Sequence, residues 1–131
     1  MLFGAFLWWD GALWLGAAAR LPGWGAGTAA ALDLAAMHAL TMGYMGGTLL
    51  IMATRLSSTH SGRPLAIDLV ARGLYGVLQL AVVMRLVAAL APSWSTQWLP
   101  WAGLAWAGVA VAWAARHGRW LGSPRVDGRP A

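Results

Sequence analysis

Four long apolar stretches constrain this chain more than any other feature of its sequence. They cover residues 1–19, 29–53, 69–91 and 99–115, and each is close to the roughly 17–25 residues that a helix needs to cross a bilayer. Of the 131 residues, 60% are apolar and only 10% are charged, against about 25% charged in an ordinary soluble domain. We therefore predict an all-α membrane protein in which four transmembrane helices form a bundle.

The segments between these stretches carry turn-forming and polar residues. A Gly- and Pro-containing turn follows Arg20, a polar segment covers 54–68, and a Pro-bounded connection covers 92–100. Because such residues end helices, we expect short loops at these places. Residues 116–131 are rich in Arg, Gly and Pro and hold too little apolar surface to fold alone, so they are predicted to form a basic surface tail.

The positions of the arginines predict an orientation in the membrane. Arg55 and Arg63 lie in the segment between the second and third stretches, and four more arginines lie in the tail. Short Arg-rich segments face the cytoplasm, which places this segment, the tail and both termini there. The net charge of +5 then reports topology and implies a bilayer as partner, not nucleic acid. Four tryptophans are expected at the opposite face as an interfacial belt: Trp24, Trp94, Trp98 and Trp101.

Several kinds of chemistry are excluded by residues that the sequence lacks. There is no Cys, so this chain alone can hold no disulfide, thiolate nucleophile or iron–sulfur cluster. There is no Glu, and the few Asp residues are scattered, which leaves hydrolytic chemistry by paired carboxylates or a Ser-His-Asp set unsupported. These residues do not decide whether the chain is an enzyme.

Asp10, His38 and Arg85 are ionisable residues deep inside the predicted spans. Counting about 1.5 Å per residue from the outer ends, Asp10 and His38 lie roughly 13 Å deep, and Arg85 and Met84 roughly 9–11 Å deep. We therefore expect them to form one layer in the outward half of the bundle. Such groups are costly in a membrane and face a bundle interior, a cofactor or a water path. The alternative is structural: Asp10 and Arg85 neutralise one another, and His38 bonds a backbone carbonyl.

The second span has two different faces. At about 100° per residue, Gly43 and Gly47 lie at the GxxxG spacing typical of close helix contacts. A polarizable stripe occupies the other side, and a Met stripe is by default core filling. The members of this stripe are His38, Thr41, Met42, Met45, Leu49 and Met52.

The third span begins with polar residues at helical spacing. Asp68 and Arg72 are four residues apart, which predicts an ion pair in the first turn. Tyr75 and Gln79 continue the same face and offer hydrogen-bonding groups to a ligand or to a neighbouring helix.

Two histidines, His60 and His117, are predicted at the cytoplasmic face. Two imidazoles brought together can bind copper or zinc. Because the sequence supplies no third ligand beside them, ordinary surface histidines are the alternative.

Two segments of the second span and its following loop carry a family resemblance. The stretch His38-Ala-Leu-Thr-Met-Gly-Tyr-Met-Gly-Gly-Thr, followed by Met52-Ala-Thr-Arg-Leu-Ser-Ser-Thr-His60-Ser-Gly-Arg-Pro-Leu65, resembles the NnrS family of bacterial membrane proteins. The end of the chain, at 124–130, is similar to that family too. The family pattern has Leu-Gly where this chain has Ser58-Thr59, and Thr where it has Ser61. The chain resembles the C-terminal four-span portion of the family, or a short paralogue.

The resemblance implies an inner-membrane protein that contains haem and copper and takes part in nitric oxide response, metabolism or tolerance. By the same resemblance, His38 and His60 are the candidate metal ligands of this chain. For a haem on His38, three alternatives stay open for the sixth ligand position of the iron. It is filled by Met84, filled by a second His38 from a twofold partner in a homo-oligomer, or left open to nitric oxide. Around such a haem, Arg85 is expected to pair with a propionate and Asp10 to accept the second imidazole N–H.

Two functions of other classes stay open at the sequence level. One is a metal-free structural or assembly subunit of a larger membrane complex, in which Asp10, His38 and Arg85 only specify helix packing. The other is a small transporter or proton-path component that uses the same three residues as its path.

Overall fold

The computed structural model describes residues 2–63, 68–121, 123–124 and 126, and regular structure within these ranges is helical. Helix α1 spans Leu2–Ala18 and α2 runs without a break over Ala26–His60. Helix α3 spans Leu69–Leu90 and α4 spans Pro92–Leu121. The all-helical prediction is therefore confirmed for the described part of the chain.

Three helices, α2, α3 and α4, are long and apolar enough to cross a membrane. Helix α1 has 17 residues, or about 25 Å at 1.5 Å per residue, and lies antiparallel against α2. An ion pair of 3.1 Å joins Arg20 to Asp33 at one end of this contact, and Ala5 packs on Gly47 at the other. Because α1 is shorter than the other three helices, the fourth crossing stays a prediction.

Small residues bring α1 and α2 together. Ala35, Ala39, Gly43 and Gly47 are the buried positions along this part of α2. A Cβ atom at Gly43 would lie only 2.5 Å from Cγ of Trp8, so the backbone of α2 approaches α1 closely. The GxxxG face therefore packs within the chain and is not open to a second copy.

The Met stripe lies on the opposite, exposed side of α2, and its prediction as core filling is wrong. Met45 is 50% exposed and Leu49 67%. The reason is that only one face of α2 can meet α1, and the small residues allow the closer contact.

A π-helical segment, Ala39–Met45, interrupts the α-helical hydrogen bonding of α2 directly after His38. In an α-helix a turn takes 3.6 residues, so residues spaced four apart move progressively around the helix axis. A π turn contains more residues than an α turn, and its rotation per residue is therefore smaller. The π segment thus reduces this rotation, and the small residues keep facing α1.

The predicted polar loop begins later than expected, because 54–60 continue α2. The hydroxyl of Thr54 donates to the Leu50 carbonyl at 2.7 Å, and Ser58 Oγ donates to Thr54 at 2.9 Å. These polar side chains are satisfied by the carbonyl four residues back, so they do not end the helix.

The predicted connection at 92–100 is also helical. Pro92 begins α4, where its missing N–H is tolerated, and only Ala91 separates α3 from α4. Trp94 and Trp98 stack with ring centroids 6.2 Å apart. The turn after α1 and the turn at Ala91 lie at the same end of the bundle, which also carries Trp24, Trp94 and Trp98. The Asp68–Arg116 pair sets the register of α4 against α3 and places Trp101 deeper, level with Val83, so a belt of all four tryptophans stays a prediction.

Candidate functional site

His38 lies in α2 immediately before the π segment and is half-buried. Its Nδ1 atom is 2.7 Å from the Leu34 carbonyl oxygen. A carbonyl can only accept, so Nδ1 carries the proton and donates it. This tautomer leaves the lone pair on Nε2, which is the arrangement of histidines that bind metals.

The sequence predicted that Asp10 accepts an N–H of His38. In the structure the Leu34 carbonyl accepts it instead. The side chain of Asp10 is exposed on the far side of α1, whereas the buried positions of this helix are Ala5 and Ala12. Nor does an ion pair join Asp10 to Arg85 within the described ranges. Asp10 therefore does not join His38 and Arg85 in the layer that the sequence predicted.

Met84 and Arg85 lie at about the depth of His38. The indole Nε1 of Trp8 donates to Oε1 of Gln79, which fixes α1 and α3 in parallel register and places Arg85 level with Trp14. Gly16 in turn packs on Ala36 of α2. The two registers together bring Met84 and Arg85 within about one helical turn of His38 in depth.

Arg85 is half-buried on the packed stripe of α3 with Leu78, Val82 and Ala89. In the described part of the chain no hydrogen bond or ion pair engages its guanidinium. A cation at this depth without a partner is suited to an acidic group from outside the chain.

The face of α2 beside His38 is open. Leu34 and Met45 are 40% and 50% exposed, and Thr41 is exposed between them. A cavity of about 430 Å³ lies between α1 and α2 and is lined by Met37 and Leu40, but His38 does not line it.

The polar face of α3 meets α1. Gln79 accepts from Trp8, and a Cβ at Gly4 would lie 2.6 Å from the Tyr75 hydroxyl oxygen. Both side chains therefore reach a neighbouring helix, and the Nε2 atom of Gln79 is buried without a hydrogen-bond partner among the described residues.

His60 and His117 have different surroundings. His60 is exposed, whereas His117 is only 3% exposed and stacks on Trp113, with ring centroids 4.8 Å apart. Its Nδ1 donates to the Trp113 carbonyl at 3.1 Å. Among the residues described, no group of three or more His, Cys, Asp or Glu side chains that could hold a metal is present, so the copper assignment stays a prediction.

The carboxylate of Asp68 pairs with Arg116 of α4, not with Arg72 as the helical spacing predicted. It also caps α3 by accepting the Ala71 backbone N–H at 2.9 Å. The hydrogen bond from Arg116, and then that from Ala71, lower the pKa of Asp68 below its ordinary value. Sequence spacing shows partners within one helix and missed this one, which comes from another helix.

Sequence reasoning also missed Asp33, which lies inside the predicted second span. It pairs with Arg20 across the turn between α1 and α2. The signal was available, because an Arg that ends one apolar stretch and an Asp early in the next are brought together by an antiparallel hairpin.

The long apolar helices and the His38 imidazole within one of them define a polytopic α-helical membrane protein with a potential metal ligand inside a span. A family model described as NnrS protein matches residues 1–125. The chain belongs to the NnrS family. A search of curated proteins gave no match, and a search of solved structures gave none either.

Proposed function

We propose that this chain is a haem- and copper-binding protein of the bacterial inner membrane that acts in the response to nitric oxide. Family membership supports the role in general terms. The observation that carries the haem assignment is the tautomer of His38, whose Nδ1 atom donates to the Leu34 carbonyl and whose Nε2 lone pair has no partner in the described part of the chain.

The residues around His38 fit a haem by their chemistry. The imidazole would supply one ligand to the iron, and Met84 lies at similar depth with a thioether that would suit as a second ligand, a known haem pairing. Arg85, without a partner in the described part of the chain, is suited to a propionate. When bound, the haem supplies an iron centre that can take nitric oxide as a ligand.

The open face beside His38 implies that another chain completes the site. Leu34 and Met45 are exposed there, and one copy does not enclose a group the size of a porphyrin on that side. We therefore propose that the chain works as a homo-oligomer or within a larger membrane complex, with both termini cytoplasmic.

The test is the visible absorption spectrum and iron content of the purified chain. We expect a Soret band in the wild type, its loss in His38→Ala, and its retention in the matched control His60→Ala. Full haem content in His38→Ala contradicts the site, and a wild type reconstituted with haem that shows no Soret band contradicts the function.

The sixth ligand is read from two further measurements. Met84→Leu shifts the Soret band only if Met84 binds the iron. Haem at about half the protein content instead indicates that two copies each contribute His38. A copper content that falls in a His60→Ala/His117→Ala double variant supports those residues as copper ligands, and an unchanged copper content removes them.

A structural or assembly subunit is the second candidate, and the position of Asp10 favours it. Asp10 lies among Phe3, Leu7 and Trp14 on an exposed apolar face of α1. A carboxylate facing lipid is costly, so this face is suited to a polar group of a neighbouring membrane protein. A haem-free protein in which Asp10→Ala disrupts a complex supports this role.

A further inference from the structure

A second cavity, of about 310 Å³, lies at the Arg-rich end of the bundle. We call it the Arg63 cavity. It lies where the end of α2, the start of α3 and the end of α4 meet. The side chains that matter for its chemistry are Arg63, Asp68, Arg116, His117 and Trp120.

The charges in the Arg63 cavity do not balance. Arg116 is paired with Asp68. The guanidinium of Arg63 lies over the Trp120 ring, 4.7 Å from its centroid, and has no carboxylate beside it in the described part of the chain. Arg63, Arg116 and Asp68 together therefore give the cavity one excess positive charge.

Arg63 also has an unsatisfied donor. Its Nη1 atom is buried and has no hydrogen-bond partner among the residues that the structure describes. The ring of Trp120 attracts the charge of the guanidinium but does not accept this N–H in the plane of the fork. A buried charged donor without an acceptor is destabilising, so an external acceptor has a clear energetic benefit.

The other polar groups of the cavity are already committed. Ser58 Oγ donates to the Thr54 carbonyl, and His117 Nδ1 donates to Trp113. The donors left for a ligand are guanidinium N–H groups, whose planar fork matches oxyanions.

We propose that the Arg63 cavity binds a phosphate group, with Arg63 as the main ligand and Arg116 beside it. The guanidinium of Arg63 comes from the segment that follows α2 and that of Arg116 from α4, and Trp120 forms an apolar wall. The position at the polar end of apolar helices places the cavity at headgroup level. The phosphate belongs either to an anionic phospholipid or to a free inorganic phosphate ion. This proposal does not depend on haem or copper.

The experiment uses the full chain purified in a neutral, phosphate-free detergent. Thermal unfolding is followed by circular dichroism during titration with sodium phosphate, against sodium chloride at equal ionic strength. A second titration uses short-chain phosphatidylglycerol, against the matching diacylglycerol that lacks phosphate.

The variants are Arg63→Gln and the matched control Arg119→Gln. Arg119 is exposed at the same end of α4 and donates to the Ala115 carbonyl. The Arg119→Gln substitution therefore removes the same charge at a position outside the cavity. We expect wild type and Arg119→Gln to be stabilised by the ligand, and Arg63→Gln to bind it about tenfold more weakly, the effect of losing one charged hydrogen bond.

A response to sodium phosphate identifies a free anion, and a response to phosphatidylglycerol alone identifies a headgroup. If Arg63→Gln fails to fold, Arg63→Lys replaces it: this variant keeps the charge but loses the fork, and weaker binding than in Arg119→Gln supports the proposal. Equal responses of the Arg63 and Arg119 variants, or no response of the wild type to either ligand, overturn it.

Discussion

Gly43 sets the distance between α1 and α2. A Cβ at this position would lie 2.5 Å from Cγ and 2.8 Å from Cβ of Trp8. The Cβ of Trp8 is fixed to its own backbone, so the contact cannot be relieved by rotating a flexible side chain. Any substitution at Gly43 therefore has to move one helix.

Gly43→Ala is expected to destabilise the fold by about 1–3 kcal/mol, the usual effect of overpacking. Gly108→Ala is the matched control, because a Cβ there meets nothing within 4 Å and Ala favours a helix over Gly by up to about 1 kcal/mol. Denaturant unfolding in detergent, followed by circular dichroism, measures both.

If Gly43→Ala is as stable as Gly108→Ala, α1 and α2 do not pack at the distance that the structure shows.

Residue types and depth were predictable from the sequence, but side-chain direction was not. Helix rise alone placed His38 and Arg85 at similar depth. It could not show that Asp10 faces away from the bundle, because α1 is apolar on nearly every face and its packed side is selected by Ala5 and Ala12.

At the scale of the element, helices with simple apolar runs matched their predicted bounds. Helix α1 was predicted at 1–19 and α3 at 69–91, each within one residue of Leu2–Ala18 and Leu69–Leu90. Helices α2 and α4 extend further than predicted, because Ser and Thr hydroxyls bond within the helix and Pro92 occupies a first turn.

Asp68 is the N-cap residue of α3, and a substitution can remove its charge while keeping a side chain that caps the helix. Asp68→Asn keeps an N-cap side chain but loses the charge that pairs with Arg116. Because the folded pKa of Asp68 is lowered, its stabilisation is full above the unfolded pKa and is lost as pH falls through the folded pKa.

We therefore expect the unfolding temperature of the wild type to exceed that of Asp68→Asn at neutral pH and to approach it at acid pH. Asp33→Asn, which breaks the exposed pair with Arg20, is the control and should show a smaller difference. Wild-type and Asp68→Asn curves that stay parallel through the acid range contradict the Asp68–Arg116 pair.

At the scale of the whole molecule, charge is divided between the two ends of the bundle. Arg55 and Arg63 at the end of α2 lie near Arg116 and Arg119 at the end of α4, since Trp113 donates to Thr54 at 2.9 Å. The other end carries the Arg20–Asp33 pair and three of the predicted belt tryptophans, Trp24, Trp94 and Trp98. This division is the basis for the proposed orientation.

Alkaline phosphatase fusions test that orientation. We expect high activity for a fusion in the turn at Gly23, which would be periplasmic, and low activity for fusions after Arg63 or at Ala131. Active phosphatase fused after Arg63 or at Ala131 contradicts the proposed orientation of the four spans.

The single residue between α3 and α4 limits how this protein can move. Sliding one helix along the other by a turn requires about 5.4 Å of slack, and Ala91 alone spans at most about 3.6 Å. The two helices therefore cannot slide past one another by a full turn without unwinding one of their ends. A displacement of α3 along its own axis, which would move Arg85, thus pulls on the first turn of α4 at Pro92.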